Sequence, residues 1–255
     1  MERLVFFGAI AIGICLAAGS LRANDAFESK TFSSENGGSL LYRIHSPEGL
    51  KNGQTGPLVF FFHGAGERGS DNENQLKHGA LEILAYAESN DIPVTIVAPQ
   101  CPKDKQWVDT PWGDLSHKMS KVPSESMRMA MELLDEVIKT QPVDKKRIYV
   151  TGLSMGGFGT WDIIQRQSKL FAAAMPVCGG GDPAFAKKLK KLPIWVFHGD
   201  SDSVVKTQRS RDMVAALRKK RAHPLYTEYK NTKHNAWTPT YSDETVLKWL
   251  FEQRK

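Results

Sequence analysis

Ser154 lies in the segment Gly152-Leu153-Ser154-Met155-Gly156, which has the G-x-S-x-G spacing of a nucleophilic serine held in a sharp turn. A strand-like run, 147–150, precedes it, and residues 157–161 read as the start of a helix. A strand–turn–helix unit projects the serine hydroxyl outward, and the glycines make room for a strained backbone. The same spacing also occurs by chance in Gly-rich turns, but the strand before it favours a nucleophile.

A serine hydroxyl is a weak nucleophile at neutral pH, so it needs a base, and the base needs a carboxylate to orient it. His234 lies in a loop between the last predicted strand and the last predicted helix and is the candidate base. Asp202, a few residues beyond a strand that ends at 198, is the candidate acid, and Asp200 competes with it. The chain order serine, aspartate, histidine is the one expected for this motif.

The oxygen of a tetrahedral intermediate needs backbone N–H donors aimed at it. Met155, directly after the serine, is one candidate donor, and Ala65, in the Gly-rich loop 63–69 after an apolar run, is the other. Glu67 and Arg68 follow in the same loop. We interpret these two as a local ion pair that fixes the loop, in preference to a direct catalytic role.

Three tryptophans, Trp107, Trp112 and Trp237, fall in loops near the predicted site. Aromatic rings there could stack on a sugar or an aryl acyl group, or they could only roof the core. The side chain of Met155 is expected to line the pocket as well. These residues are therefore the predicted substrate pocket.

Strands and helices alternate along the chain. Continuous apolar runs are typical of central strands covered on both faces, and apolar residues at helical spacing separate them. The predicted strands are 39–44, 57–62, 92–98, 147–150, 171–177, 193–198 and 225–229, and the predicted helices are 74–87, one that Ser124 begins, 155–167, 184–192, 207–221 and 243–253.

This alternation predicts an α/β fold, a mostly parallel sheet with helices on both faces. Every motif above follows the end of a predicted strand, so all of them should meet at one rim of the sheet. The 255 residues, 41% of them hydrophobic, suffice for one sizeable core, and we expect a single domain over 24–255. The loop 100–123 is longer than most connections, which favours a functional role.

The N-terminal segment 1–23 has the pattern of a signal peptide. Arg3 precedes an apolar stretch, 4–18, and small residues lie before Asn24. A membrane anchor is the alternative, but the stretch is short for a bilayer and contains glycines. We expect cleavage and export to the periplasm or the medium, with no stable membrane contact afterwards.

The net charge and the cysteine positions indicate which partners, disulfides and metals to expect. A net charge of +6 and the cluster 218–221 indicate a solvated face, and without a binding motif we do not expect nucleic acid as a partner. Cys101 and Cys178 end different predicted strands, so we expect two free thiols and no metal pair. No metal or cofactor is implied, because acyl transfer by a serine, a histidine and an aspartate needs neither.

Six segments together carry a family resemblance: 63–69, 98–102, 152–157, 176–182, 198–202 and 234–237. In this order they resemble the exported prolyl-oligopeptidase-like and polyhydroxybutyrate-depolymerase-like esterases of the α/β-hydrolase superfamily. The resemblance implies the α/β-hydrolase fold, a triad of Ser154, Asp202 and His234, and a small-molecule or polysaccharide-linked ester as substrate, as in carboxylesterases and feruloyl esterases. A peptidase acting on short peptides and a non-catalytic binding protein with this fold are the alternatives.

Overall fold

The computed structural model describes residues 25–48, 50–51 and 53–255. Over these residues the chain forms an eight-stranded sheet with helices on both faces. The strands are β1 Glu28–Ser33, β2 Ser39–His45, β3 Gly56–Phe62, β4 Thr95–Gln100, β5 Val143–Leu153, β6 Ala173–Val177, β7 Trp195–Gly199 and β8 Leu225–Tyr229. The α-helices are α1 Ala80–Ser89, α2 Glu125–Thr140, α3 Met155–Arg166, α4 Gln208–Lys219, α5 Trp237–Tyr241 and α6 Glu244–Glu252, and three 3-10 helices cover Ala65–Glu67, Asn74–Leu76 and Pro183–Leu189.

The strand order across the sheet is β1-β2-β4-β3-β5-β6-β7-β8. The pairs β1–β2 and β2–β4 are antiparallel, and every later pair is parallel. The parallel strands therefore end at one rim, where Phe62, Leu153, Val177 and Gly199 are the last strand residues. The prediction of an α/β fold with a mostly parallel sheet is confirmed.

Strand β3 shows why its apolar run is continuous. All seven of its residues are buried, because helices cover both faces of the sheet at this point. Phe60 and Phe62 pack in the same cluster as apolar residues of α2, α3 and α4. Val59 and Phe61 point to the opposite face, where α1 and α6 supply the apolar side chains. An apolar core thus covers each face of the sheet, and the polar loops follow the ends of the parallel strands.

Several predicted elements differ from the observed ones. The helix expected over 74–87 is divided into Asn74–Leu76 and α1, because Gly79 adopts φ +86 between them and a β-carbon there would lie 2.6 Å from Phe61. The segment expected as a helix over 184–192 is the 3-10 helix Pro183–Leu189. Strand β1 and the short helix α5 were not predicted.

The predicted signal peptide, 1–23, lies outside the described residues. None of the helices in the described part of the chain is long and apolar enough to cross a bilayer. Cys101 and Cys178, the cysteines of that part, are both buried and free, as expected.

Ser124 joins the long loop to α2. Its Oγ accepts the backbone N–H of Met127 at 3.0 Å and donates to the carbonyl oxygen of Trp107 at 2.7 Å. The first contact pairs an amide that the helix start leaves without a partner, and the second fixes the loop to the helix.

We predict that Ser124→Ala lowers the free energy of unfolding by about 1–2 kcal/mol, because both contacts are lost. Ser124→Thr keeps the hydroxyl and serves as the matched control, with most of the stability retained. Urea unfolding followed by circular dichroism measures both. An unchanged midpoint in the alanine variant would show that the cap contributes nothing.

Candidate active site

Ser154 occupies the turn between β5 and α3. It has φ +54 and ψ −118, a conformation that few residues other than glycine adopt. The turn is tight because α3 approaches the ends of the strands closely. A β-carbon at Gly156 would overlap the carbonyl oxygen of Phe62, and one at Gly152 would lie 2.6 Å from the carbonyl oxygen of Gly156. The glycines of the motif are therefore required by backbone contact.

A chain of hydrogen bonds joins Ser154, His234 and Asp202. His234 Nε2 lies 2.8 Å from Ser154 Oγ, and His234 Nδ1 lies 2.7 Å from Asp202 Oδ2. Asp202 is 7% exposed, whereas Asp200 is exposed and accepts a hydrogen bond from the neighbouring Ser201 hydroxyl. The structure thus brings together the three side chains selected from the sequence and leaves the competitor Asp200 outside.

Both oxygens of the Asp202 carboxylate are fully engaged. Oδ1 accepts the amides of Val204 at 2.8 Å and Val205 at 3.0 Å, and Oδ2 also lies 3.2 Å from His198 Nε2. Burial by itself would raise the pKa of Asp202, but the hydrogen bonds from His198, His234 and Val204 outweigh it and hold the pKa well below its usual range. The carboxylate is therefore ionised at neutral pH and fixed in orientation.

His198 is a site residue that the sequence analysis missed. It is fully buried at the end of β7, where its Nδ1 lies 2.7 Å from Ser210 Oγ and its Nε2 lies 3.0 Å from the carbonyl oxygen of Val205. With Nε2 protonated, it donates toward Asp202 Oδ2, the same oxygen that His234 Nδ1 contacts. The signal that could have found it is a polar residue that ends an apolar strand just before the loop 200–205, which carries Asp202 and is called the acid loop below.

Backbone hydrogen bonds join the acid loop to the end of β8 and to the loop 230–236, which carries His234 and is called the histidine loop below. The amide of Asp200 donates to Tyr229 at 3.0 Å, and the amide of Ser201 donates to Thr232 at 3.0 Å. Gly199 packs so closely that a β-carbon there would overlap the carbonyl oxygens of the histidine loop. These contacts set the separation of Asp202 and His234.

The two predicted oxyanion donors, the amides of Met155 and Ala65, both lie at the start of a helix. Met155 is the first residue of α3 and Ala65 is the first residue of a 3-10 helix, so neither amide has an acceptor in a preceding helical turn. Gly64, Ala65 and Gly66 line the cleft at Ser154. The side chain of Met155 packs in the core below the turn instead of lining the cleft, so that expectation was wrong.

His63 holds the loop that carries Ala65. Its Nδ1 lies 2.6 Å from the carbonyl oxygen of Gly64, and its Nε2 accepts the amide of Cys101 at 2.9 Å. Trp107 Nε1 donates to the carbonyl oxygen of His63 at 3.1 Å. Burial lowers the pKa of His63 to about 4, so the ring is neutral at pH 7 and can make both hydrogen bonds.

A cleft of about 290 Å³ opens beside Ser154 and His234. Trp112 and Trp237 line it, as expected, and the ring of Trp237 meets the ring of His234 edge to face at 5.3 Å between centroids. Trp107 does not belong to it. Its side chain is 0% exposed and packs on Phe62 at 5.0 Å, because the loop folds inward at this point to cover α3 and the sheet.

The loop that carries Trp112 is anchored by two buried polar side chains. Arg209 Nη1 donates to the carbonyl oxygen of Asp114 at 2.9 Å, and Asp182 Oδ2 accepts the amide of Met119 at 2.9 Å. Arg209 is almost completely buried and also stacks on an aromatic ring, so the loop is held against the domain. Trp112 is thereby kept at the cleft.

Glu67 and Arg68 do not form the ion pair expected from the sequence. Arg68 Nε donates to the carbonyl oxygen of Ala65 at 2.9 Å, and its Nη1 donates to that of Lys105 at 3.2 Å. Glu67 instead lines the cleft, with its Oε1 4.0 Å from His78 Nε2. The Arg68 guanidinium thus donates to two backbone carbonyls and does not pair with the Glu67 carboxylate.

Cys178, Asp202 and His234 place atoms of metal-ligand type within 4.8 Å of one another. The arrangement fits a hydrogen-bond network better than a metal site. Asp202 Oδ2 and His234 Nδ1 already bind each other, and burial raises the pKa of the Cys178 thiol far above its ordinary value, which disfavours the thiolate that a metal needs.

The lowered pKa of His63 predicts how stability depends on pH. The unfolded chain, with a histidine pKa of 6.5, binds the proton more tightly than the folded chain, with a pKa of about 4. We expect this residue to lower the free energy of unfolding by up to about 3 kcal/mol as the pH falls from 6.5 to 4. His117, whose pKa burial and Arg209 also lower to about 4, acts with the same sign.

Urea unfolding of the wild type and of His63→Gln between pH 4 and pH 8 measures this dependence. The variant should be less stable at pH 7 and should show a shallower slope between pH 6.5 and pH 4. The same slope in both proteins would mean that His63 does not carry the effect.

The chain is similar in sequence and in structure to known esterases. Residues 50–243 match the family model described as phospholipase/carboxylesterase. A crystal structure of a thermostable esterase superposes with a TM-score of 0.85 at 35% sequence identity, over 92% of this chain and 64% of that chain. A ferulic acid esterase superposes with a TM-score of 0.67 at 17% identity, over 88% of this chain and 97% of that chain, which shows the shared fold alone.

A bifunctional acetylxylan esterase/xylanase of Neocallimastix patriciarum is 24% identical to this chain. The match covers 84% of this chain and 29% of the relative, so the chain spans less than a third of that protein's length. The family match covers well over half of the chain, and the order of strands and helices agrees with it. The chain therefore belongs to the phospholipase/carboxylesterase family and has the α/β-hydrolase fold.

Proposed function

We propose that this protein is a serine hydrolase of carboxylic esters, with Ser154 as nucleophile, His234 as general base and Asp202 as the group that orients the base. The observation that carries the proposal is the continuous hydrogen-bond chain, 2.7 Å from Asp202 Oδ2 to His234 Nδ1 and 2.8 Å from His234 Nε2 to Ser154 Oγ. Membership of the phospholipase/carboxylesterase family supports it.

The geometry supports an acyl-enzyme route. Ser154 Oγ attacks the ester carbonyl carbon while His234 Nε2 takes its proton, and the amides of Met155 and Ala65 donate to the oxyanion. Collapse of the intermediate breaks the bond to the alkoxy oxygen, which receives the proton from His234 and leaves as the alcohol. Water then attacks the acyl-enzyme with His234 again acting as base, and the acid is released.

Asp202 keeps its negative charge throughout. Its carboxylate holds the Nδ1–H tautomer of His234, so Nε2 faces Ser154 as an acceptor, and it stabilises the imidazolium that forms in each step. The saturated hydrogen bonding of Asp202 supports this role, because it leaves the carboxylate no other orientation.

For the substrate we propose acylated polysaccharides or aryl esters. A cleft of about 290 Å³ with Trp112 and Trp237 on its walls suits a planar or sugar-like group. The names of two similar proteins, an acetylxylan esterase/xylanase and a ferulic acid esterase, point to the same class. On the motifs from 63–69 to 234–237, we also propose that the chain is related to the prolyl-oligopeptidase-like and polyhydroxybutyrate-depolymerase-like esterases.

We also propose that the enzyme is exported. The support is the sequence pattern of 1–23, with its apolar stretch 4–18 and small residues before Asn24. Expression of the full chain with detection of a shortened protein outside the cytoplasm would test it.

The first experiment is a substrate panel with wild type and Ser154→Ala. It compares p-nitrophenyl acetate, longer acyl esters, methyl ferulate, acetylated xylan and a peptide amide. We expect ester turnover in the wild type and a loss of about 10⁴-fold or more in the variant, because the attacking oxygen is gone. Circular dichroism controls for folding.

Other results would exclude the proposal in distinct ways. A folded Ser154→Ala variant with full esterase activity would remove the serine from the mechanism. Amide cleavage that exceeds ester cleavage would identify a peptidase. No turnover and no reaction with a phosphonate probe would identify a non-catalytic binding protein.

Asp202 and Asp200 provide a matched pair of substitutions. We expect Asp202→Ala to lower kcat by about 10³- to 10⁴-fold, since His234 loses the partner that sets its tautomer. Asp200→Ala should change kcat by less than about threefold, because Asp200 is exposed and, within the described residues, its carboxylate makes no hydrogen bond to His234. Steady-state kinetics on p-nitrophenyl acetate measures both, and the reverse order of effects would reassign the acid.

A further inference from the structure

The carboxylate of Glu67 faces the active-site cleft and has no assigned role. Glu67 is 8% exposed and lines the same cleft as Ser154 and His234. Within the described residues, its carboxylate oxygens accept no hydrogen bond from the protein, and His78 Nε2, at 4.0 Å, is the basic group that reaches it. A nearly buried carboxylate is unfavourable unless donors satisfy it. The Glu67 side chain keeps 11% of its surface exposed, so water or a substrate hydroxyl in the cleft can supply the donor.

The position of Glu67 is rigidly set. Its amide donates to the carbonyl oxygen of Gly64 at 3.4 Å, and its own carbonyl oxygen accepts Gln100 Nε2 at 3.1 Å. The Oε2 atom lies 2.9 Å from the site that a β-carbon on Gly64 would occupy. The backbone of Glu67 is thus fixed in the loop that carries Ala65, and its carboxylate lies close to Gly64, which lines the same cleft as Ser154.

The separation of Glu67 and His78, which borders the cleft through its contact with Trp237, suits a bridging hydroxyl group. At 4.0 Å, Glu67 Oε1 and His78 Nε2 are too far apart to bond each other. One hydroxyl oxygen at about 2.8 Å from each atom can donate to Oε1 and accept from an Nε2–H. The carboxylate then accepts the hydroxyl proton, and the imidazole N–H donates to the hydroxyl oxygen.

An apolar wall lies next to this pair. The ring of Trp237 contacts the ring of His78 at 5.9 Å and the ring of His234 at 5.3 Å between centroids. A sugar offers both features, an apolar ring face and flanking hydroxyl groups, and aromatic side chains pack on such faces. An unsubstituted alkyl or aryl ester offers nothing to the carboxylate.

We infer that Glu67 and His78 form a hydroxyl-binding subsite, with Trp237 as its apolar wall, that selects carbohydrate esters over esters without hydroxyl groups. This inference rests on the proposed function, because it assigns specificity to the cleft in which Ser154 acts. It gives Glu67 a role in substrate recognition and none in the proton transfers.

The test compares two acetate esters of similar size, a methyl monoacetyl-xyloside and cyclohexyl acetate, with wild type and Glu67→Leu. We expect kcat/KM for the xyloside ester to fall about 10- to 100-fold, as for loss of a hydrogen bond to a charged group. The value for cyclohexyl acetate should stay within about threefold. Glu67→Gln, which keeps the size and one acceptor, should give an intermediate loss and serves if the leucine variant does not fold.

Glu73→Gln is the control for a general effect of charge, because the Glu73 side chain is 68% exposed and lies outside the residues that line the cleft. It should leave both esters unaffected. Equal losses of activity on the two esters in Glu67→Leu would mean that Glu67 only supports the loop, and no loss on either would mean that substrate does not reach it. Either result overturns the inference.

A double-mutant cycle tests whether one hydroxyl bridges both side chains. His78→Leu should reduce kcat/KM for the xyloside ester, and the double variant should lose little more than the larger single effect. If the fold-losses in kcat/KM of the two single variants multiply in the double variant, the two side chains do not share one hydroxyl, and the inference of a bridging hydroxyl is wrong.

Binding separates this inference from the proposed function. Isothermal titration of the monoacetyl-xyloside into Ser154→Ala should detect binding, weakened about 10-fold or more by adding Glu67→Leu. If wild type hydrolyses neither ester but this difference in binding persists, the esterase proposal fails and the subsite stands. If both esters are hydrolysed and binding is unchanged by Glu67→Leu, the subsite fails alone.

Discussion

The close approach of helix α3 to the rim of the sheet is the constraint on which the site depends. Backbone atoms at Gly156 and Phe62 are in direct contact, and Ser154 is forced to φ +54 between them. Such a conformation costs about 1–3 kcal/mol and persists only when the surroundings fix it. Here the two cores on the faces of the sheet supply that rigidity, and the serine hydroxyl is left projecting into the cleft.

The carboxylate of Asp202 plays the corresponding part for the histidine. Two amides, His198 and His234 occupy its oxygens, so its charge and its direction are both determined. The acid loop is in turn hydrogen-bonded to the loop that carries His234. Each group is therefore positioned by another, as the proposed proton transfers from Ser154 to His234 require.

The amphipathic and apolar patterns were strong enough to predict most of the fold. The strands covered on both faces, such as β3, were found because their apolar runs are continuous. Strand β1 was missed because it is an edge strand in which Phe32 alone is buried, so it shows no alternation. The break at Gly79 was missed because helical spacing continues across it, although the backbone does not.

The sequence by itself determined the α/β class, the order of the motifs and the three residue types whose chemistry fits one another, because spacing and strand context are local properties. Only the tertiary structure decided which polar and aromatic side chains face the cleft. Trp107 is buried in the core, whereas Trp112 and Trp237 line the cleft. Glu67 also lines the cleft, because Arg68 bonds to backbone carbonyls instead of to its carboxylate. Contacts between loops that are distant in the chain decide such orientations, and no local pattern records them.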